Sequence, residues 1–455
     1  MKTVTRFAPS PSGDLHLGGA RTALFNYLYA KSNNGDFRVR IEDTDIERNK
    51  REAIKSILDG LEWLNIKADR KIIFQSENIN NHLNFAESLI VKGIAYKCFE
   101  DNEQSKTLKK KNIKFRSKWR DVHEKHYPKN KKFTIRLKIP DNYEIKINDL
   151  VQGKVLVNSN EVDDYILVRS NQTPTFLLAS VVDDISMGVT DIIRGDDHLT
   201  NTFRQFFLYK MSETNLPNFA HIPLILNEKG EKLSKRDNVP SLIDFKQKGY
   251  LSQAIVNYLL RLGWSYGNKE ILDLDFSKKV FNIKDVGKSP SKIDKKKIDF
   301  LNQYYLKELS VKKIYSELNK LLAEKNQEFI NGIDENLLKF LPDYVERSVT
   351  VNDLYGQLNF LIKNQNYLNK EKQKIQKINI GNKKLLNDLE KVKNWNLENI
   401  KKCLTNFIKT NNLNFKEIGI PLRLILTGTK DSPSIYNVMA LLGKKEVLNR
   451  LEKLW

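Results

Sequence analysis

Apolar positions change their period along this chain, and the changes mark its parts. In FRVRIED, Phe37, Val39 and Ile41 alternate with polar neighbours, which predicts a strand. In ARTALFNYLYAK, Ala23, Leu24, Tyr27, Leu28 and Ala30 fall at helical spacing. VTRFAP ahead of it reads as a short strand, and REAIKSILDGLEWL beyond as a helix. Strand, helix, strand, helix predicts an α/β domain with a parallel sheet over 1–97. Residues 98–190 are mixed, with strand-like KFTIRLKIP and DDYILVRS. Residues 191–300 return to α/β texture in DIIRGDDHL and AHIPLIL, then carry the loop NEKGEKLSKRD and a helix around AIVNYLLRLG. Residues 301–455 show long 3–4 spacings of Leu with few Gly or Pro, which predicts an all-helical end.

Composition narrows the class. The 455 residues suggest several domains, and 40% apolar with 29% charged residues excludes wholesale disorder. No apolar run approaches a membrane span, and MKTVTRFAPSPSG has no apolar core of a signal peptide. Cys98 and Cys403 cannot make a disulfide framework or a Cys-rich metal site, so a reducing cytoplasm is the expected compartment. The net charge is +21. Two readings compete: a polyanionic partner, or the Lys, Asn and Ile drift of AT-rich coding sequence. Residues 101–140 hold 14 Lys and Arg against 4 Asp and Glu. Uniform drift does not concentrate charge in that way, so nucleic acid is favoured.

Two segments carry candidate chemistry. RFAPSPSGDLHLGG stiffens a turn with two prolines and frees its backbone with glycines, then opens a helix whose N-terminus attracts phosphate. It is not a Walker A loop, because Gly19-Ala20 stands where Lys-Ser/Thr is required. A tight connection without a ligand explains the glycines equally well. The second segment, Lys232-Leu233-Ser234-Lys235-Arg236, lies over 200 residues later in a loop. Alone it is an ordinary basic surface loop; mobile lysines also suit the charge of a phosphoryl-transfer transition state.

In this order, HLGG after a Pro-Ser-Pro loop and KLSKR far downstream resemble the two signatures of class I aminoacyl-tRNA synthetases. RIEDTD, AYKCF, VRSNQTPTFLLASVVDD, IIRGDDHLTNTFRQ and NYLLRLGW narrow the resemblance to bacterial glutamyl-tRNA synthetase. It is dense over 1–265, thins through 266–410 and returns at PLRLILTG and SPSIYNVMALLGKKEVL.

The resemblance implies a Rossmann-like catalytic domain in two halves, 1–97 and 191–300. The second half carries the KLSKR loop and the start of a stem-contact region. Between them lies an acceptor-stem-binding insertion, 98–190, and an α-helical anticodon-binding region follows over 301–455. It implies ATP with Mg2+, L-glutamate and tRNA(Glu) as substrates, with tRNA(Gln) left open, and a monomer. By similarity His16 and Lys235 are catalytic. Ser12, His16, Gly18, Gly19, Asp197, Lys232, Ser234, Lys235 and Arg236 bind ATP. Arg6, Ala8, Ser10, Glu42, Phe176, Ser180 and Arg194 bind glutamate, with Arg6 on the side-chain carboxylate and Glu42 on the ammonium. Asp45, Arg48, Arg116, Arg120, Arg347 and Arg423 are assigned to tRNA, although the Leu-rich surroundings of Arg423 read as core.

Phe176 stands where the family usually has Tyr, so one hydroxyl is lost. Some relatives hold zinc in the insertion through Cys-x-Cys. Here Glu100 replaces the second Cys, and His123 and His126 read as surface residues, so no structural zinc is expected. Trp119, among Arg116, Lys118 and Arg120, is a candidate for RNA stacking; Trp63 and Trp264 read as packing. Three alternatives stay open: a glutaminyl enzyme, whose C-terminal end carries β-barrels; the short enzyme that glutamylates queuosine, which lacks this end; and a catalytically silent tRNA-binding relative.

Overall fold

The computed structural model describes residues 2–44, 51–100, 114–231, 240–330, 335–363, 382–430 and 432–453. The chain divides into two compact units, 1–245 with 255–295, and 246–254 with 296–455.

In the first unit, strands β1 (Val4–Phe7), β2 (Asp36–Ile41) and β3 (Ile73–Phe74) alternate with helices Leu17–Ser32 and Arg51–Trp63. The chain then makes β4 (Ala95–Cys98), β5 (Thr134–Leu137), β6 (Glu144–Asp149), β7 (Gly153–Asn158) and β8 (Ile166–Val168). β9 (Asp191–Gly195) and β10 (Asn218–Ile222) follow. The main sheet has the order β3-β2-β1-β9-β10-β6-β7, parallel throughout except for the β6–β7 hairpin. Its first five strands run outward from β1 in both directions, the topology of a doubly wound nucleotide-binding sheet. β4, β5 and β8 form a separate antiparallel sheet. The segment expected as an insertion therefore does not separate cleanly. Its hairpin extends the main sheet, and its helix Phe176–Ser186 brings two acids beneath the main site.

The strand predicted from Phe37, Val39 and Ile41 is present, but its polar positions are not on a solvent face. Arg40 is 0% exposed. A central strand of a parallel sheet is covered on both faces, so alternation there does not mark a wet side.

β1 and β2 start in register beside Gly35, where the Asp36 amide donates to the Thr3 carbonyl at 2.9 Å. A Cβ on Gly35 would lie 2.2 Å from that same carbonyl oxygen. Neither strand end can yield without breaking the pairing. Gly35→Ala is expected to destabilise the protein by about 1–3 kcal/mol, the usual cost of overpacking, read as a lower urea midpoint at unchanged slope.

In the second unit, the described residues form helices and hold no strand, in keeping with the 3–4 spacing of Leu. Leu318, Leu341, Leu354, Leu385, Leu404 and Leu422 are each fully buried. Two helices open with a capping box, at Thr350 with Asp353 and at Asn414 with Glu417.

Candidate active site

A cleft of about 1040 Å³ opens at the carboxyl ends of β1, β2 and β9, where the strand order reverses. This is where a doubly wound sheet leaves room for a ligand. Its lining includes Arg6, Ala8, Ser10, Ser12, His16, Gly18, Gly19, Glu42, Phe176, Arg194 and Asp197. Eleven positions singled out from the sequence, spread over 192 residues, thus converge.

The signature loop is built from local rules. Pro9 accepts from the Glu42 amide at 2.9 Å, which ties the loop to the end of β2. His16 caps the helix Leu17–Ser32, its Nδ1 accepting from the Gly19 amide at 3.1 Å. A ring that accepts through Nδ1 carries its proton on Nε2, so the imidazole presents a donor beside a helix N-terminus. A Cβ on Gly18 would press the imidazole at 3.1 Å, and one on Gly19 would meet Leu15 at 2.8 Å. These glycines therefore make room for the protein's own side chains.

The floor is a charged network buried in the sheet. Arg6 donates Nε to Asp184 Oδ1 at 3.1 Å, and Arg40 donates Nη1 to the same oxygen at 2.5 Å. Arg40 also donates Nη2 to Glu42 Oε1 at 3.0 Å. Tyr209 donates its hydroxyl to Asp184 Oδ2 at 3.2 Å. Next door, Asp183 takes bonds from Gln75 at 2.8 Å, Asn78 at 3.2 Å and the His82 ring at 2.8 Å. Burial opposes ionisation of Asp184, but Arg6 and Arg40 hold its carboxyl below the usual range. Burial pushes the Glu42 carboxyl up, against Arg40. An incoming ammonium would favour the ionised form of Glu42. Burial lowers Arg194 to about 10. The cleft thus pairs two guanidinium groups with a carboxylate that lacks a full counter-charge, beside a phosphate-binding helix start.

Other expectations fare differently. Ser180 is 1% exposed and accepts from Gln205 Nε2 at 2.6 Å. It lies one helical turn past Phe176 and does not line the cleft. Phe176 faces the His198 ring at 5.9 Å between centroids. Burial, then Arg194, lowers the His198 pKa, and Asn201 bonds its Nδ1 at 3.2 Å. Arg116 and Arg120 are not set out for phosphate. Arg120 pairs with the fully buried Asp164 at 2.7 Å and donates to the Ile139 carbonyl, while Arg116 reaches Asp164 at 3.5 Å and the Val162 carbonyl at 2.8 Å. A buried carboxylate holds nearby cations, which a basic stretch read alone does not reveal. Trp119 packs edge-on to Phe99 at 5.0 Å and lies 6.2 Å from Tyr127, so packing accounts for it. Arg347 is exposed, and Arg423 is half-buried on the helix Phe415–Thr427, whose neighbours Leu422 and Leu424 are core.

Asp45, Arg48, Lys232, Ser234, Lys235 and Arg236 lie outside the described residues. The flank of the second signature is described: Ser241 bridges His16, and the Leu242 amide donates to the Leu15 carbonyl at 3.0 Å. The chain from Ser241 onward therefore starts against the first signature. Among the described residues, no group of three or more His, Cys, Asp or Glu is placed to hold a metal ion. No described helix is long and apolar enough to cross a membrane.

Sequence reasoning did not single out Gln75, Arg169, Asn201 or His198 in the lining, nor Arg40, Asp183 and Asp184 beneath it. One signal was present: two adjacent acids ending the apolar helix FLLASVVDDIS need buried cations.

The family model described as tRNA synthetases class I (E and Q), catalytic domain, matches residues 2–300. The one described as anticodon binding domain matches 313–455. A protein named glutamate–tRNA ligase 2 from Wolbachia pipientis subsp. Culex pipiens (strain wPip) is 41% identical over 458 residues, covering 99% of each chain. One named glutamate–tRNA ligase from Pelagibacter ubique is 40% identical over 464 residues, covering 99% of this chain and 98% of that one. Among solved structures, a glutamate tRNA ligase of Elizabethkingia meningosepticum in complex with its amino acid superposes with a TM-score of 0.84 at 30% identity, covering 100% of this chain and 99% of that one.

Proposed function

The chain belongs to the class I tRNA synthetases for glutamate and glutamine, and we propose that it joins L-glutamate to tRNA(Glu) at the expense of ATP. The single observation that carries the choice of amino acid is the joint position of Arg6, Arg194 and Glu42 in one cleft. Two guanidinium groups suit a dicarboxylate, and Glu42 suits its ammonium. In the first step the α-carboxylate of glutamate attacks the α-phosphorus of ATP, and pyrophosphate leaves. In the second, a ribose hydroxyl at the tRNA 3′ end attacks the carbonyl of the glutamyl-adenylate, forming the ester, losing its proton and releasing AMP. The nucleophile belongs to the substrate, so the protein's work is positioning and charge stabilisation.

His16 Nε2 and the helix start are assigned to the ATP phosphates, with Ser12, Gly18 and Gly19 alongside and Asp197 toward the nucleoside. Lys235, with Lys232, Ser234 and Arg236, is assigned to the departing pyrophosphate. Magnesium arrives with ATP as part of the substrate. Asp45, Arg48 and Arg347 remain assigned to tRNA, and the chain is read as a cytoplasmic monomer. The strand-free described residues of 296–455 favour a glutamate enzyme over the glutaminyl alternative with its β-barrels.

The test is ATP–pyrophosphate exchange with tRNA present, comparing glutamate with glutamine. A site built around a charged carboxylate rejects the amide by about 10³-fold or more, because the guanidinium that faces that carboxylate then loses its ligand counter-ion. Exchange driven equally by both amino acids, or by neither, would overturn the assignment.

A further inference from the structure

Arg194 is held differently from Arg6. Arg6 and Arg40 pair directly with Asp184, and Glu42 and Asp183 also face Arg40. Their positive charge is largely matched inside the protein. Arg194 makes no ion pair with a carboxylate among the described residues. Its Nη2 donates to Thr202 Oγ1 at 2.7 Å, and its Nε donates to His221 Nε2 at 3.2 Å. Thr202 accepts that bond, so its own proton goes to His221 Nε2, 3.0 Å away. Nε2 is therefore an acceptor, and the ring proton sits on Nδ1. Nδ1 donates to Asp149 Oδ2 at 2.6 Å. Asp149 is fixed in turn by the amides of Val151, Gln152 and His221, at 3.0, 2.8 and 3.1 Å. Burial lowers the His221 pKa, opposed by the Asp149 bond and reinforced by the facing Arg194.

Three elements supply this chain: Asp149 ends β6, His221 lies on β10, and Thr202 on the helix Leu199–Met211. His221 is 0% exposed and does not line the cleft, so it does not touch substrate. Its chemistry fits another task. A carboxylate placed directly on Arg194 would fix the guanidinium but cancel its charge. A neutral imidazole, oriented by a carboxylate one bond farther away, fixes the guanidinium and leaves the charge for a ligand.

We propose that His221 is a positioning residue for Arg194, keeping it oriented and uncompensated so that it binds a carboxylate of the amino-acid substrate. The proposal rests on the glutamate reading above. It is tested with two variants of similar size in the full-length enzyme, assayed by pyrophosphate exchange with tRNA. His221→Gln keeps an acceptor near the Nε2 position. His221→Asn keeps a partner for Asp149 but leaves Arg194 without its acceptor. The expected result is a KM for glutamate raised about tenfold or more in His221→Asn and within threefold of the parent in His221→Gln, with the KM for ATP within twofold in both. Thr202→Val removes the bridging hydroxyl without changing shape, and its glutamate KM is expected to rise several-fold. It decides the matter if a His221 variant fails to fold. Equal effects of Asn and Gln, a parallel rise in the ATP KM, or an unchanged glutamate KM in Thr202→Val would overturn the proposal. Failure of the parent enzyme to exchange with glutamate would instead overturn the functional reading.

Discussion

Asp184→Asn is expected to cost about 3–5 kcal/mol of stability, because it removes the one carboxylate shared by two buried cations. Asp184, Arg6 and Arg40 have side chains only 2%, 5% and 0% exposed. Water cannot replace the lost charge at any of the three. The amide matches the carboxylate in size, so packing against Tyr209 survives and the loss is electrostatic. Denaturation in urea reads it as a lower midpoint at unchanged slope.

The sign of its pH dependence follows from the direction of the shift. The folded-state pKa of Asp184 is depressed below its unfolded value of about 3.9. Its contribution is therefore fully present above that value and is lost as pH falls through the depressed one. The stability gap between parent and variant should be constant near neutrality and narrow below about pH 4. A gap that stays constant through the acid range would show that the pairing is not its source. The variant should also raise the glutamate KM, since Arg6 keeps an acceptor for its Nε but loses the charge that holds it in place.

His16→Asn separates the two duties of one side chain. Asn is a good N-cap, so the acceptor for the Gly19 amide is retained and stability should stay within about 0.5 kcal/mol of the parent. The Nε2–H donor has no counterpart in Asn. Pyrophosphate exchange should fall by about 10²–10³-fold, the loss found when one preorganised donor to a developing oxyanion is removed. His16→Ala loses the cap as well and should add about 1 kcal/mol of destabilisation at similar activity. If His16→Asn keeps more than a tenth of the parent rate, the imidazole does not serve the phosphates.

Much of the site was legible because it is local in the chain. The Pro-Ser-Pro turn, the glycines and His16 form one loop, and Arg6 and Glu42 follow from strands that end beside it. Arg194 closes β9 next to them. Arg40 was not legible, since alternation in β2 marks it only as polar and the acids Asp183 and Asp184 that hold it lie far along the chain. Arg116 and Arg120 read as phosphate contacts until Asp164, 48 and 44 residues away, claimed them. Ser180 has the spacing of a cleft residue but turns toward Gln205.

The sequence by itself marked the strands and helices around the first signature, the two signatures and the residue types that meet at β1, because periodicity and turn chemistry act over a few residues. Only the tertiary structure decided which charges are matched inside and which remain for a ligand. Asp184 reaches Arg6 across 178 positions, and Asp149 reaches His221 across 72. Those pairings depend on how strands are ordered in the sheet, and the free energy of a buried charge depends on the partner that folding brings to it.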